Sequence, residues 1–315
     1  MNHLDVSIII CTYNPDTEKL NRTLFSAVLQ KNVDFEIIIT DDGSDDFDEA
    51  AVENFFEEYE FKNYKIIRHA TNNGTVSNYY DGLIQASGDY VYGISPGDYF
   101  YNATCISELH TFCDENNIDI CFGEAACYEE IDGYVKFKKP ISPKWPYSFS
   151  KSIYSQKIAL ISFLFGHQPI GATYFRRKET TIKYFLEIIN KVKYVEDYPT
   201  TALFLLDGMK LYYFSKPVIW YECNTGISTS MSTVWKKRFE DDLKLARGIL
   251  FQKHSNNNIL QAVYILKERI KHPIVCMVGL IVKVLGDIRY KVMKNNGNKE
   301  YFYSIAQYDV ESYTK

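Results

Sequence analysis

The first 125 residues or so alternate short apolar runs with amphipathic stretches. Residues 6–11 (VSIIIC) are apolar at nearly every position, which predicts a strand covered on both faces. Residues 17–30 put Leu20, Leu24, Ala27 and Val28 on one side of a 3.6-residue period, which predicts a helix. The same reading gives strands over 35–40, 64–68, 90–94 and 118–122, and helices over 46–59 and 76–86. This βαβ alternation implies an α/β fold with a mostly parallel central sheet flanked by helices. Residues 127–152 carry Gly133, Pro140, Pro143 and Pro146, which predicts short strands and a long loop of the kind that forms lids. Beyond it the pattern gives a helix over 153–165, a strand over 171–175, helices over 180–190 and 200–206, and strands over 211–214 and 218–221. From 233 to about 293 it is helical, and the polar tail KNNGNKE follows. The chain therefore divides into an α/β domain over 1–230 and a helical C-terminal extension over 231–315.

Composition narrows the function. Apolar residues make up 46% of the 315, enough for a sizeable core, and the net charge is −5. No basic excess is present, so nucleic acid is not an expected partner. Tyr is abundant, 26 against 3 Trp. Its flat ring and polar tip suit a sugar-binding cleft, although a general richness in Lys, Asn, Ile and Tyr explains the count as well. The seven Cys (Cys11, Cys105, Cys113, Cys121, Cys127, Cys223 and Cys276) form no C-x-x-C pair, which suggests reduced thiols in a cytoplasmic protein. No basic n-region precedes the first strand. No apolar stretch reaches the ~18–20 residues of a membrane span. The expectation is a cytoplasmic protein, seated at the inner face of the cell membrane if its C-terminal region touches lipid.

Four polar groups lie at strand ends or a helix start, and open α/β sheets bind ligands beyond the carboxyl ends of their strands. Thr12-Tyr13-Asn14-Pro15 follows the first strand and reads either as a nucleotide cradle or as a plain turn. Asp41-Asp42-Gly43-Ser44-Asp45-Asp46 follows the second. Four carboxylates so close need donors, a cation or free exposure to offset their repulsion, and a solvated turn with a helix cap near Asp45 is the other reading. Ser95-Pro96-Gly97-Asp98 follows the fourth strand, where a lone Asp either binds Mg²⁺ or Mn²⁺ together with diphosphate oxygens or ends a Pro-Gly turn. Glu196-Asp197 precedes a helix, where an anion is favoured by the helix dipole. Such a carboxylate serves as a general base or as a cap.

The order of these groups resembles inverting glycosyltransferase family 2, which has the GT-A fold. SIIICTYNP is similar to the family's opening pattern and IIITDDGSDD to its second. NNGTVSNYYDGLIQASGDYVYGISPGDYF resembles its third. PIGATYFRR and VEDYPTTALFLLDGMKLYYFSKPVIWYECNTGISTS also look like it, so the resemblance covers about the first 230 residues. It implies that Thr12, Tyr13 and Asn14 line a nucleoside pocket, that Asp41 binds the base and that Asp42 lies close to the nucleotide. It implies Asp197 as the base that deprotonates an acceptor hydroxyl, Asp98 as the ligand of Mn²⁺ or Mg²⁺, and a sugar nucleotide, UDP-linked by default, as donor. Glu196, His167 and Gln168 would then face a glycan or lipid-linked acceptor in surface polysaccharide synthesis. Two departures stand out. The family's Asp-x-Asp is Ser95-Pro96-Gly97-Asp98 here, and its Ala-Arg-Asn is Asn78-Tyr79-Tyr80. The first leaves room for a second reading, a non-catalytic nucleotide-sugar-binding or scaffold subunit. In the C-terminal region, residues 267–294 join basic residues to an apolar core. This suits either peripheral contact with a membrane interface or packing against the transferase domain or a second copy of the chain.

Overall fold

The computed structural model describes residues 3–131, 134–141, 153–166, 168–223 and 233–265. Its first half follows the alternation read from the sequence. Strands β1 (Val6–Thr12), β2 (Phe35–Asp41), β3 (Tyr64–Arg68) and β4 (Tyr90–Ile94) alternate with helices α1 (Thr17–Val28), α2 (Glu49–Glu58) and α3 (Thr75–Gln85). They form a parallel block in the order β3-β2-β1-β4. Ile8, Ile10, Ile37 and Ile39 point into one apolar cluster, and Ile9 and Ile38 into the other. All six are fully buried. At about 1.5–3 kcal/mol per side chain, they explain why both strands read as unbroken apolar runs.

Two elements here carry no sequence expectation, the short strand β5 (Tyr99–Phe100) and helix α4 (Cys105–Glu115). The predicted fifth strand, 118–122, is the start of a longer one. Strand β6 (Ile120–Ile131) runs without a break through the segment expected to hold short strands and a loop, and pairs with β7 (Tyr134–Ile141) as a hairpin. Residues 142–152, the rest of that loop, lie outside the described residues. Helix α5 (Ile153–Leu164) follows as expected. Residues 171–173 form a 3-10 turn rather than a strand, and β8 (Tyr174–Arg177) comes after it. Next come α6 (Lys178–Phe185) and α7 (Asp197–Leu206). The two strands expected between 211 and 221 are one, β9 (Leu211–Glu222). It pairs in parallel with β6 and antiparallel with β5. The full path is β3-β2-β1-β4-β8-β6-β9-β5, with β7 beside β6.

Helices α1, α2 and α4 cover one face of the sheet, and α3, α5, α6 and α7 the other. Helices α8 (Thr233–Lys253) and α9 (Asn258–Tyr264) insert Ala246, Ile249, Leu250, Leu260 and Val263 into the same cluster as α5 and α7. The start of the helical extension thus shares a core with the α/β domain. Among the described residues no helix is long and apolar enough to cross a membrane. The basic-apolar segment 267–294 lies outside them.

One sequence expectation is overturned. Cys127 and Cys223 form a disulfide, with Cα atoms 6.0 Å apart. Strand pairing produces this closeness. β6 and β9 run in register through Cys127–Tyr221, and the Cys223 amide then donates to the Tyr128 carbonyl at 2.9 Å. Cys11, Cys105, Cys113 and Cys121 are free thiols, and Cys276 is outside the described residues.

Candidate functional site

Parallel pairing sets the ends of β1 and β2 side by side, with Thr12 opposite Asp41. Two turns leave from there and are bonded to each other. The Thr12 hydroxyl donates to Asp41 Oδ1 at 3.0 Å, and the Asp42 amide donates to the Thr12 carbonyl at 2.9 Å. Asn14 takes a left-handed φ of 43°, a region that Asn tolerates well. Its amide donates to Ser44 Oγ at 2.7 Å, and its Oδ1 accepts from the Asp45 amide at 3.2 Å. Tyr13, 50% exposed, stands at the rim. Gly43 has φ 73°, and a Cβ there would meet the Thr71 backbone at 2.7 Å, so the turn is closed to any side chain.

The four carboxylates of this turn are in two environments. Asp45 and Asp46 are exposed. Asp41 and Asp42 are buried, and donors offset their charge. Asp41 accepts from the Thr12 hydroxyl and from both the amide and the hydroxyl of Ser44, with Arg68 Nε at 3.9 Å. Asp42 reaches across to the third motif. Its Oδ1 accepts from the Asn73 amide at 2.7 Å and its Oδ2 from the Gly74 amide at 2.8 Å, at the start of α3. The helix cap expected near Asp45 falls instead on Asp48, which accepts from the Ala51 amide. Tyr79, which stands where the resembling family has Arg, is buried, and so is Asn78 before it. Asn78 donates to the Thr12 and Thr40 carbonyls, tying α3 to the two strand ends.

Asp98 lies beyond β4. Gly97 before it has φ 100°. Asp98 Oδ1 accepts from the Glu222 amide at 3.1 Å, and Lys19 Nζ lies 2.5 Å from Glu222 Oε1. Burial pushes the Asp98 carboxyl up to about 8; the Glu222 amide and Lys19 oppose the shift and the Glu222 charge adds to it. A hard divalent cation would reverse that shift, since it supplies the charge that burial lacks. Among the described residues no three His, Cys, Asp or Glu side chains converge to hold a metal. One buried carboxylate with a second nearby fits a cation that takes its other ligands from phosphate and water, rather than an all-protein cage.

The Glu196-Asp197 pair sits at the same edge of the sheet. Asp197 is the first residue of α7, and Glu196 makes no side-chain cap bond. Asp197 Oδ1 instead accepts from Arg176 Nη2 at 2.7 Å. Arg176 is buried on β8, with its guanidinium 4.3 Å from the Tyr174 ring centre. Asp197 Oδ2 lies over Gly171, where a Cβ would stand 1.9 Å from it. Burial, and then the adjacent Asp197 charge, push Glu196 well above the usual carboxylate range. The two strand-end turns and this pair are close enough to interact. Burial raises the Cys11 thiol to about 12, a bond from Thr40 opposes it, and the charges of Glu196 and Asp42 add to it.

The structure therefore groups Thr12, Asn14, Asp41 and Asp42 directly, sets Asp98 against Glu222 and Lys19, and sets Asp197 against Arg176. Gln168 is half-buried ahead of Gly171, and His167 is outside the described residues. The sequence reading names Ser44 and Gly171 only as parts of motifs, without a role, and does not single out Glu222. Of the two arginines that end PIGATYFRR, Arg176 binds Asp197 and Arg177 binds Asp119. Only the position of PIGATYFRR within the motif order hinted at Gly171 and Arg176.

Comparison with known proteins bears on the family and the fold. Residues 7–179, more than half the chain, match the sequence model of "Glycosyl transferase family 2". The poly(ribitol-phosphate) beta-N-acetylglucosaminyltransferase TarP of Staphylococcus aureus (strain N315) is 31% identical over 122 residues, 38% of this chain and 36% of TarP. The crystal structure of S. aureus TarS 1-349 superposes with a TM-score of 0.56 at 20% identity, covering 79% of this chain and 66% of that one. It has also been solved with UDP and with UDP-GlcNAc. The mannosyltransferase PcManGT from Pyrobaculum calidifontis, in complex with GDP-Man and Mn²⁺, gives a TM-score of 0.53 at 12% identity, covering 98% of this chain and 88% of that one. The chain thus matches about a third of the length of TarP and 66% of TarS 1-349. The structural likenesses bear on the fold, which is of the GT-A type.

Proposed function

The chain belongs to glycosyl transferase family 2, and from that premise we propose that it moves a sugar from a nucleotide-diphosphate sugar, by default UDP-linked, to a hydroxyl of a glycan or lipid-linked acceptor, inverting the anomeric carbon. The observation that carries this reading is the Asp197 carboxylate, held by Arg176 over Gly171 at the sheet edge where the Thr12–Asp41–Ser44 turns lie. Thr12, Asn14 and Ser44 preorganise Asp41, and an incoming base reaches that closed carboxylate by displacing the Ser44 hydroxyl. Tyr13 offers an exposed ring for the base to rest on. Asp42 fixes the Asn73–Gly74 turn beside the nucleotide. Asp197 takes the proton of the acceptor hydroxyl, whose oxygen attacks the anomeric carbon from the face opposite the leaving nucleotide. Glu196 keeps its proton and so leaves the negative charge to Asp197. Asp98 would hold Mn²⁺ or Mg²⁺, which, when bound, offsets charge developing on the diphosphate.

The Mn²⁺ and GDP-Man of PcManGT, and the UDP-GlcNAc of TarS, support this choice of donor and metal classes. The name of TarP, a poly(ribitol-phosphate) beta-N-acetylglucosaminyltransferase, supports a polymer as the acceptor class. A thermal-shift screen of nucleotide diphosphates and sugar nucleotides, with and without Mn²⁺, identifies the donor, because a ligand that binds only the folded state raises its Tm. Donor turnover is then measured with Asp197→Asn. Unchanged turnover removes Asp197 as the base. Donor binding without turnover over a broad acceptor panel supports a scaffold subunit instead.

A further inference from the structure

Beside Asp197 lies a cluster of cations and aromatic rings that the reaction above does not use. The segment leading to Asp197 carries Lys193 and Tyr194, and the first turns of α8 carry Trp235, Lys236, Lys237 and Arg238. The Tyr194 and Trp235 rings meet edge to face, with centres 5.4 Å apart at 87°. The Arg238 guanidinium lies 4.8 Å from the Trp235 ring centre, and Lys193 Nζ lies 5.5 Å from that of Tyr194. Both rings are half-exposed, and the four cations are exposed. Among the described residues, Lys193, Lys236, Lys237 and Arg238 form no ion pair with a carboxylate. The nearby acids are otherwise placed: Asp241 pairs with Lys244, Asp242 is buried, and Glu240 alone is exposed without a described partner. This local positive charge stands on a chain whose net charge is −5.

The cluster is also fixed in place. Asp242 Oδ2 accepts from the Lys193 amide at 3.0 Å and the Tyr194 amide at 2.5 Å. The Lys193 carbonyl accepts from the Val76 amide at 3.1 Å, and its side chain packs on Gly74, whose amide Asp42 binds. On its other side, Asp197 is three residues beyond Tyr194, a reach of at most about 11 Å. The backbone that carries Tyr194 is therefore close to that of the candidate base.

We propose that Lys193, Tyr194, Trp235 and Arg238 form an acceptor subsite for an anionic glycan, a sugar or polyol chain carrying phosphate or carboxylate groups. Ring faces take the apolar side of a sugar or polyol unit. The exposed ammonium and guanidinium groups take the anions between units. The proposal rests on the glycosyltransferase reading and adds the charge class of its acceptor.

The test is affinity electrophoresis of the full chain through gels containing poly(ribitol phosphate), polygalacturonate or uncharged dextran. At least one anionic polymer should retard the protein and dextran should not. Raising the salt from about 50 mM to about 500 mM should abolish the retardation. A double variant, Lys193→Ala and Arg238→Ala, should bind the anionic polymer roughly ten-fold more weakly. Trp235→Ala should weaken it to a similar degree at low salt. The arm that responds tells a phosphate acceptor from a carboxylate one. The proposal is overturned if neither anionic polymer retards the protein more than dextran, or if the double variant is retarded like the wild type. UDP binding by thermal shift is read on the same samples. Loss of UDP binding with retained polymer binding counts against the donor reading. Retained UDP binding without polymer binding counts against the subsite alone.

Discussion

Gly171→Ala isolates the contact on which the proposed base depends. Gly171 lies in the 3-10 turn before β8, and its missing side chain is where Asp197 Oδ2 sits. A Cβ would stand 1.9 Å from that oxygen, about 1.1 Å inside the 3.0 Å that real contacts require. Asp197 is too short to yield without rotating, and rotation carries Oδ1 away from Arg176 Nη2, now 2.7 Å off. A charge-assisted hydrogen bond of this kind is worth about 2 kcal/mol. The full penalty for stranding a buried cation, about 3–5 kcal/mol, is an upper bound because the Asp197 side chain is 27% exposed to water. Two kcal/mol corresponds to a Tm lower by about 4–8 °C. Misplacing a base by about 1 Å costs on the order of 100-fold in rate. The assay is donor turnover and Tm for Gly171→Ala, Asp197→Asn and the double variant. If Gly171 acts through Asp197, the double variant loses little beyond Asp197→Asn alone. Losses that add in full, or a Gly171→Ala enzyme as active as the wild type, would refute this account of the contact.

Three further outcomes are expected. Asp42→Asn leaves one of the two amides of Asn73 and Gly74 facing an NH₂ group, so it should lower stability by about 2–3 kcal/mol, read as a lower urea midpoint, and weaken nucleotide binding. Asp98→Asn should abolish the additional Tm rise that Mn²⁺ gives in the presence of a nucleoside diphosphate while leaving the metal-free rise; an unchanged Mn²⁺ increment would move the metal elsewhere. Glu196 has its folded-state pKa raised from 4.5 to about 8, by burial first and Asp197 second. The folded state therefore binds the extra proton, and the stability this confers is full below about pH 4.5 and lost as pH rises through about 8. Tm should fall over that window, and Glu196→Gln, neutral at every pH, should flatten the fall; a Glu196→Gln profile parallel to the wild type counts against the shift.

The parts legible in the sequence were those set by local pattern. Ile8–Ile10 and Ile37–Ile39 announce buried strands because both faces are covered, and an apolar run needs no partner to be recognised. The TYNP and DDGSDD turns were legible because they end those strands, and parallel pairing puts strand ends at one edge of a sheet. The break between 214 and 218 was misread because Ser215, Lys216 and Pro217 interrupt the apolar pattern, yet β9 continues through them along β6. The Cys127–Cys223 bridge was illegible because a separation of 96 residues is closed only by that pairing.

By itself the sequence determined the α/β class, the order of the motifs and the residue types available for chemistry, since these depend on periodicity and on turn residues close together in the chain. The tertiary structure decided which carboxylates are buried and what holds them. Asp41 is closed by Ser44, Asp42 is tied to Gly74 across 32 residues, and Asp197 is bonded to Arg176 rather than capping its helix. Burial and donor geometry arise from elements distant in sequence and adjacent in space, and those two quantities set where a carboxylate's charge goes and which neighbour it serves.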